Sequence, residues 1–124
     1  MAHSCPSTER RTYTRFKYIT NATIIHENTT IAGETVDISL KGIHIKAGSI
    51  IPPGKTVRVM VFPAQRPAIS FSGTIIRAEN SCLGIEISEI PVESFSHIRD
   101  LIVSKSDNPA DIWDEVLKVI SYLN

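Results

Sequence analysis

Two arginines stand four residues apart in Arg11-Thr12-Tyr13-Thr14-Arg15, with a third, Arg10, directly before them. A guanidinium makes planar, two-pronged hydrogen bonds to phosphate and to the O6/N7 edge of guanine, which a lysine ammonium cannot copy. About twenty residues later comes Asp37-Ile38-Ser39-Leu40-Lys41-Gly42. There a carboxylate, a hydroxyl and a glycine fall on a turn between two strand-like segments. Asp37 can accept from the N1–H and N2–H of guanine, and Ser39 can reach a phosphate or a base. Each stretch also has a plainer reading. The arginines would serve in a solvated basic tail. Asp-x-Ser is ordinary turn chemistry, because both side chains bond nearby backbone N–H groups. Gly42 could supply a positive φ or a close backbone approach. Taken together, the two stretches describe a pocket for a small anionic nucleotide, presented on a small β domain.

The segments around them must position these groups. Thr20 to His26 and Ile31 to Ile38 alternate as strands, with turn residues at Asn28-Thr29-Thr30. Gly42 to Lys46 follows, with Ile43 and Ile45 on one face and His44 and Lys46 on the other. Thr56 to Phe62 sets Val57, Val59 and Val61 against Arg58, Met60 and Phe62. Ala68 to Ala78 carries Ile69, Phe71, Gly73 and Ile75 at period two. After Asn80-Ser81, Leu83, Ile85 and Ile87 alternate with Gly84, Glu86 and Ser88. Six short strands broken by turns predict an antiparallel sandwich or a small closed barrel. The period then changes. Phe95, Ile98, Leu101 and Ile102 recur at helical spacing between Pro91 and Lys105. Asn108 as N-cap with Pro109 at the first helical position opens a second helix, whose stripe runs through Ile112, Trp113, Val116, Leu117, Ile120 and Leu123.

With 124 residues the chain has room for one core. Its 13 basic and 13 acidic residues cancel, which argues against a coat for nucleic-acid polymers. The charge is uneven, with eight Lys/Arg against four acids in residues 1–62 and five against nine thereafter. No apolar leader or membrane-spanning run is present, and a cytoplasmic location is expected. The two cysteines, Cys5 and Cys82, are read as free thiols, with a tail-to-barrel disulfide as the alternative. The four histidines are scattered, so no metal is expected. No nucleophile elbow, P-loop or dinucleotide fingerprint occurs, and no enzyme activity or cofactor is expected.

An R-x-x-x-R just before a first strand, followed by D-x-S-x-x-G after a second, resembles the PilZ domain, a family that binds the bacterial second messenger cyclic di-GMP. All five defining positions are filled, by Arg11, Arg15, Asp37, Ser39 and Gly42. The likeness runs from Glu9 to about Lys105 and includes Gly42-Ile43-His44-Ile45 and Leu83-Gly84-Ile85-Glu86-Ile87. It implies a mainly β fold, a six-stranded antiparallel barrel with one or two C-terminal helices. The divisions expected are a flexible tail over 1–8, the barrel with its arginine segment over 9–105, and a helix over 106–124 packing on the barrel or on a partner. The resemblance implies that Arg11 and Arg15 contact phosphates and guanine, that Asp37 and Ser39 contact a guanine from the barrel side, and that Gly42 leaves space for the ligand or the turn. Arg10 would help hold a second, stacked ligand. The arginine segment, mobile alone because its forks repel and lack a core, would order on binding and signal to an effector protein by contact. Two other readings stay open: a PilZ-like adaptor acting without ligand, and a small β-barrel for oligonucleotides. A homodimer also stays open.

Overall fold

The computed structural model describes residues 13–123, and the side chains of residues 13–120. Seven strands precede two helices: β1 (Phe16–Lys17), β2 (Asn21–His26), β3 (Thr29–Ile38), β4 (Gly42–Ala47), β5 (Thr56–Phe62), β6 (Ile69–Glu79), β7 (Cys82–Glu89), α1 (Val92–Lys105) and α2 (Pro109–Leu123). All pairings are antiparallel. The order β3-β2-β5-β6-β7-β4 closes on itself through a β3–β4 pairing, which makes the expected six-stranded barrel. Closure pairs each of these six strands on both sides. The two-residue β1, which the alternation does not announce, adds beside β3 with Phe16 opposite Ile38 and Lys17 opposite Asp37.

The interior is filled as the alternation predicts. Val57, Val59 and Val61 of β5, and Ile69, Phe71 and Ile75 of β6, are buried, as are Leu83, Ile85 and Ile87 of β7. β-branched side chains suit such a pleated, packed surface. Ile98, Leu101 and Ile102 of α1 join the same core, together with Ile112, Val116 and Val119 of α2. The apolar stripe of α2 therefore divides. One half, Ile112 and Val116, joins the buried cluster, while Trp113, Leu117 and Ile120 remain exposed.

Two turns illustrate how side-chain type sets the register. Asn80 and Ser81 make the two-residue β6–β7 turn with φ of 53° and 64°, the twist that matches hairpin strands. The β2–β3 turn falls at Glu27-Asn28, because Thr29 pairs with His26 and Thr30 with Ile25. The two threonines expected in the turn belong to β3, where their branched side chains are better accommodated. Cys82, buried at the start of β7, is disulfide-bonded. The free thiol expected there is thus corrected, and the bond's other end lies outside the described residues.

Candidate functional site

The site begins with an irregularity in β3. Glu34 lies opposite Lys46, and Thr35 opposite Ile45. The register then shifts, so that Asp37 lies opposite His44 and Ile38 opposite Ile43. Directly opposite residues share a face. Thr35 therefore points inward with Ile45, while Asp37, two residues on, points outward with His44. Regular alternation would have sent both the same way. The extra residue between them is a β-bulge, which re-aims a side chain. A second shift, between Ile75 and Arg77 of β6, sets Arg77 opposite Gly84 on the same outer surface. Gly84 is also opposite His44. A row thus crosses four strands from Asp37 through His44 and Gly84 to Arg77.

Gly84 makes the row compact. A Cβ there would lie 3.2 Å from Cδ2 of His44 and 3.3 Å from the Cβ of Arg77. The bare strand lets the imidazole lie across it, and His44 is buried although it faces away from the barrel interior. Nδ1 of His44 is 3.0 Å from Oδ1 and 3.1 Å from Oδ2 of Asp37.

Arg15 completes the cluster, because pairing of β1 with the end of β3 brings the arginine segment against Asp37. Its Nη1 donates to Oδ1 of Asp37 at 3.1 Å. The same atom is 2.8 Å from Nδ1 and 3.2 Å from Nε2 of His44. A donor in the ring plane could approach only one of those nitrogens. Nη1 therefore sits off the ring plane, and Nδ1–H is left to donate to Asp37. Arg15 and Asp37 keep 17% and 23% of their side-chain surface exposed, so the pair remains open to a ligand.

Burial pushes the Asp37 carboxyl upward, but the hydrogen bond and charge of His44, with those of Arg15, outweigh it and hold the group below its ordinary value of 3.8. A depressed folded value stabilises the fold fully above the unfolded value and is lost as pH falls through the folded one. Acid unfolding should accordingly steepen below about pH 4, the range of an unperturbed aspartate. Asp37→Asn should flatten that limb. Equal acid limbs for parent and variant, followed by circular dichroism, would remove this account of the cluster.

The remaining predicted residues have different duties. Ser39, buried in the β3–β4 connection, is committed to the turn. Its Oγ accepts from N–H of Gly42 at 3.1 Å and of Lys41 at 3.3 Å, and lies 3.2 Å from the Gly42 carbonyl. Gly42 has no positive φ. Its need is space, since a Cβ would lie 2.6 Å from the carbonyl oxygen of Ile85 in β7. Gly42→Ala should force β4 away from β7 and cost about 1–3 kcal/mol, the range for overpacking. A melting temperature within a degree of the parent's would contradict this. Arg10 and Arg11 lie outside the described residues.

Three participants were missed at the level of sequence. The alternation of β4 puts His44 on the outer strand face but does not by itself connect it to the site. Its signal was the turn itself, which returns β4 alongside Asp37. Arg77 needed the second bulge. Glu115 of α2 accepts from Thr14 N–H at 2.9 Å and also from the Thr14 hydroxyl. No local pattern joins residues 101 positions apart. Residues 14 and 15 are therefore held by α2 and the barrel, and the rest of the arginine segment before Tyr13 lies outside the described residues.

The family model described as PilZ domain matches residues 9–104. No curated protein matches the chain. Among solved structures, the PilZ domain of YcgR from Escherichia coli with c-di-GMP is similar at 16% identity and a TM-score of 0.65, over 77% of this chain and 91% of that one. The PilZ domain of CeSA from a cellulose-synthesizing bacterium is similar at 15% identity and a TM-score of 0.60, over 73% of this chain and 96% of that one. The Bacillus subtilis inhibitor of motility MotI/DgrA is similar at 20% identity and a TM-score of 0.65, over 79% of this chain but 52% of that one. At these identities the likeness is one of fold.

Proposed function

The chain belongs to the PilZ domain family, and from that premise we propose that it is a non-enzymatic receptor for cyclic di-GMP that signals by protein contact. The observation that carries the reading is the meeting of Arg15 and Asp37, 22 residues apart, at 3.1 Å on the outer barrel face. A forked donor and a carboxylate acceptor side by side complement a ligand with phosphates at its centre and guanine edges at its rim. The solved YcgR domain carrying c-di-GMP supports the same ligand class. Arg10 and Arg11, five and four residues before Arg15, are proposed to close over the ligand, with Arg10 serving a second, stacked molecule. In that mechanism Arg15 is already seated, and the ordering on binding belongs to the residues before it.

Ser39 and Gly42 act by shaping the turn that carries Asp37 beside the ligand. Phosphate-centred recognition implies an affinity that falls as salt rises. The second reading, an adaptor acting without ligand, draws on the exposed Trp113, Leu117 and Ile120 of α2. One set of calorimetric titrations separates the two readings. Cyclic di-GMP should bind, while cyclic di-AMP, GTP and a short single-stranded oligonucleotide should bind far more weakly or not at all. Silence toward all four leaves the adaptor. A response to the oligonucleotide alone would restore the nucleic-acid barrel.

A further inference from the structure

A buried carboxylate on the last helix grips the arginine segment. Glu115 is 8% exposed, and a carboxylate so enclosed needs hydrogen-bond donors. Thr14 supplies two, its backbone N–H to Oε1 at 2.9 Å and its hydroxyl to Oε2. Thr14 directly precedes Arg15, so consecutive Cα atoms there are about 3.8 Å apart. Holding the Thr14 amide therefore limits where the Arg15 guanidinium can reach. The helices touch the chain again just after β1, where Nζ of Lys105, the last residue of α1, lies 4.7 Å from the centroid of the Tyr18 ring. Tyr13, Phe16 and Tyr18 pack against the core that Ile112, Val116 and Val119 of α2 help form.

We propose that Glu115 is a positioning residue for the ligand site, tying the arginine segment to α2 so that ligand occupancy and the seating of α2 are coupled. It rests on the cyclic di-GMP reading above and deepens it. With the anchor present, Arg15 is presented to the ligand with little further ordering. Without it, the ligand must order the segment itself and binds more weakly. Coupling between two such events is reciprocal, so ligand bound beside Arg15 must also hold α2 more firmly.

The test uses the full chain, with hydrogen exchange and calorimetry on the parent, Glu115→Ala, Glu115→Gln and Thr14→Val. Before any ligand is added, the Thr14 amide should be protected in the parent and unprotected in Glu115→Ala. Cyclic di-GMP should bind Glu115→Ala about tenfold more weakly, the loss expected for hydrogen bonds to a charged group. Glutamine keeps one acceptor for the amide and offers an N–H to the threonine oxygen, so Glu115→Gln should restore most of the affinity. That rescue would not follow if the carboxylate served only to stabilise the fold by its charge. Thr14→Val combined with Glu115→Ala should lose much less than the sum of the single losses. Exchange of α2 amides should slow with ligand in the parent and not in Glu115→Ala. Free exchange at Thr14 in the parent, parental affinity in Glu115→Ala, or additive losses would each overturn the proposal. A parent that binds no cyclic di-GMP would instead remove the receptor reading, and the anchor would then stand or fall on exchange at Thr14 alone.

Discussion

Arg15→Ala should weaken cyclic di-GMP binding by about 100-fold or more, corresponding to roughly 3 kcal/mol for a charge-assisted, two-pronged contact in a partly buried site. The fold should hardly notice. Arg15 and Asp37 are both partly exposed, and ion pairs in such positions contribute about 0–1 kcal/mol to stability. Asp37 also retains Nδ1–H of His44 as a donor. The melting temperature should therefore fall by a few degrees at most, about what 1 kcal/mol does in a domain of this size. Arg15→Lys is the sharper control. It keeps the charge but loses the planar fork, so it should recover only a small part of the affinity. Calorimetry and a melting curve on each variant decide the matter. Parental binding by Arg15→Ala would sink the assignment, and a collapsed melting curve would show Arg15 to be part of the structure.

How far the site was legible in sequence depends on which interactions are local. The period-two pattern of β5 and β6 placed Val57, Val59, Ile69 and Phe71 correctly in the interior, because a strand's faces follow from the backbone alone. The pattern failed where the backbone is irregular. Along β3, the spacing of Ile31, Gly33 and Thr35 would carry Asp37 into the core. Only the bulge after Thr35 turns it outward, and nothing in Thr35-Val36-Asp37 announces a bulge. The same holds for Ile75-Ile76-Arg77. His44 was visible as an outward residue, yet its role depends on Gly84 of a strand forty residues away. Glu115 could not be found at all without the fold, since its partner Thr14 stands at the other end of the chain. Ser39 and Gly42 show the converse. Their motif positions were plain, but the fold was needed to show the turn hydrogen bond of Ser39 and the close approach of Gly42 to the carbonyl of Ile85.

Asp37→Asn should alter which base the site prefers. An ionised carboxylate only accepts hydrogen bonds. It suits the adjacent N1–H and N2–H donors of guanine and opposes adenine, which offers an unprotonated N1. Cyclic di-GMP should therefore bind the parent about 100-fold or more tightly than cyclic di-AMP, because a site built for donors leaves its own polar groups unpaired against the wrong base. Asparagine changes the pattern. Its amide oxygen still accepts, but its NH2 faces one guanine donor and can instead donate to adenine N1. Its oxygen can stay at the Oδ1 position, where Nη1 of Arg15 and Nδ1–H of His44 both point, so the NH2 takes the Oδ2 position and costs His44 only its second contact there. Affinity for cyclic di-GMP should fall by about 10- to 100-fold, the worth of a two-point base contact of 1–3 kcal/mol. Affinity for cyclic di-AMP should hold or rise, which brings the two ligands near parity. Competition calorimetry with both dinucleotides measures the ratio directly. If Asp37→Asn weakened both by the same factor, Asp37 would act only by holding Arg15 and His44, and guanine recognition would have to lie elsewhere on the barrel.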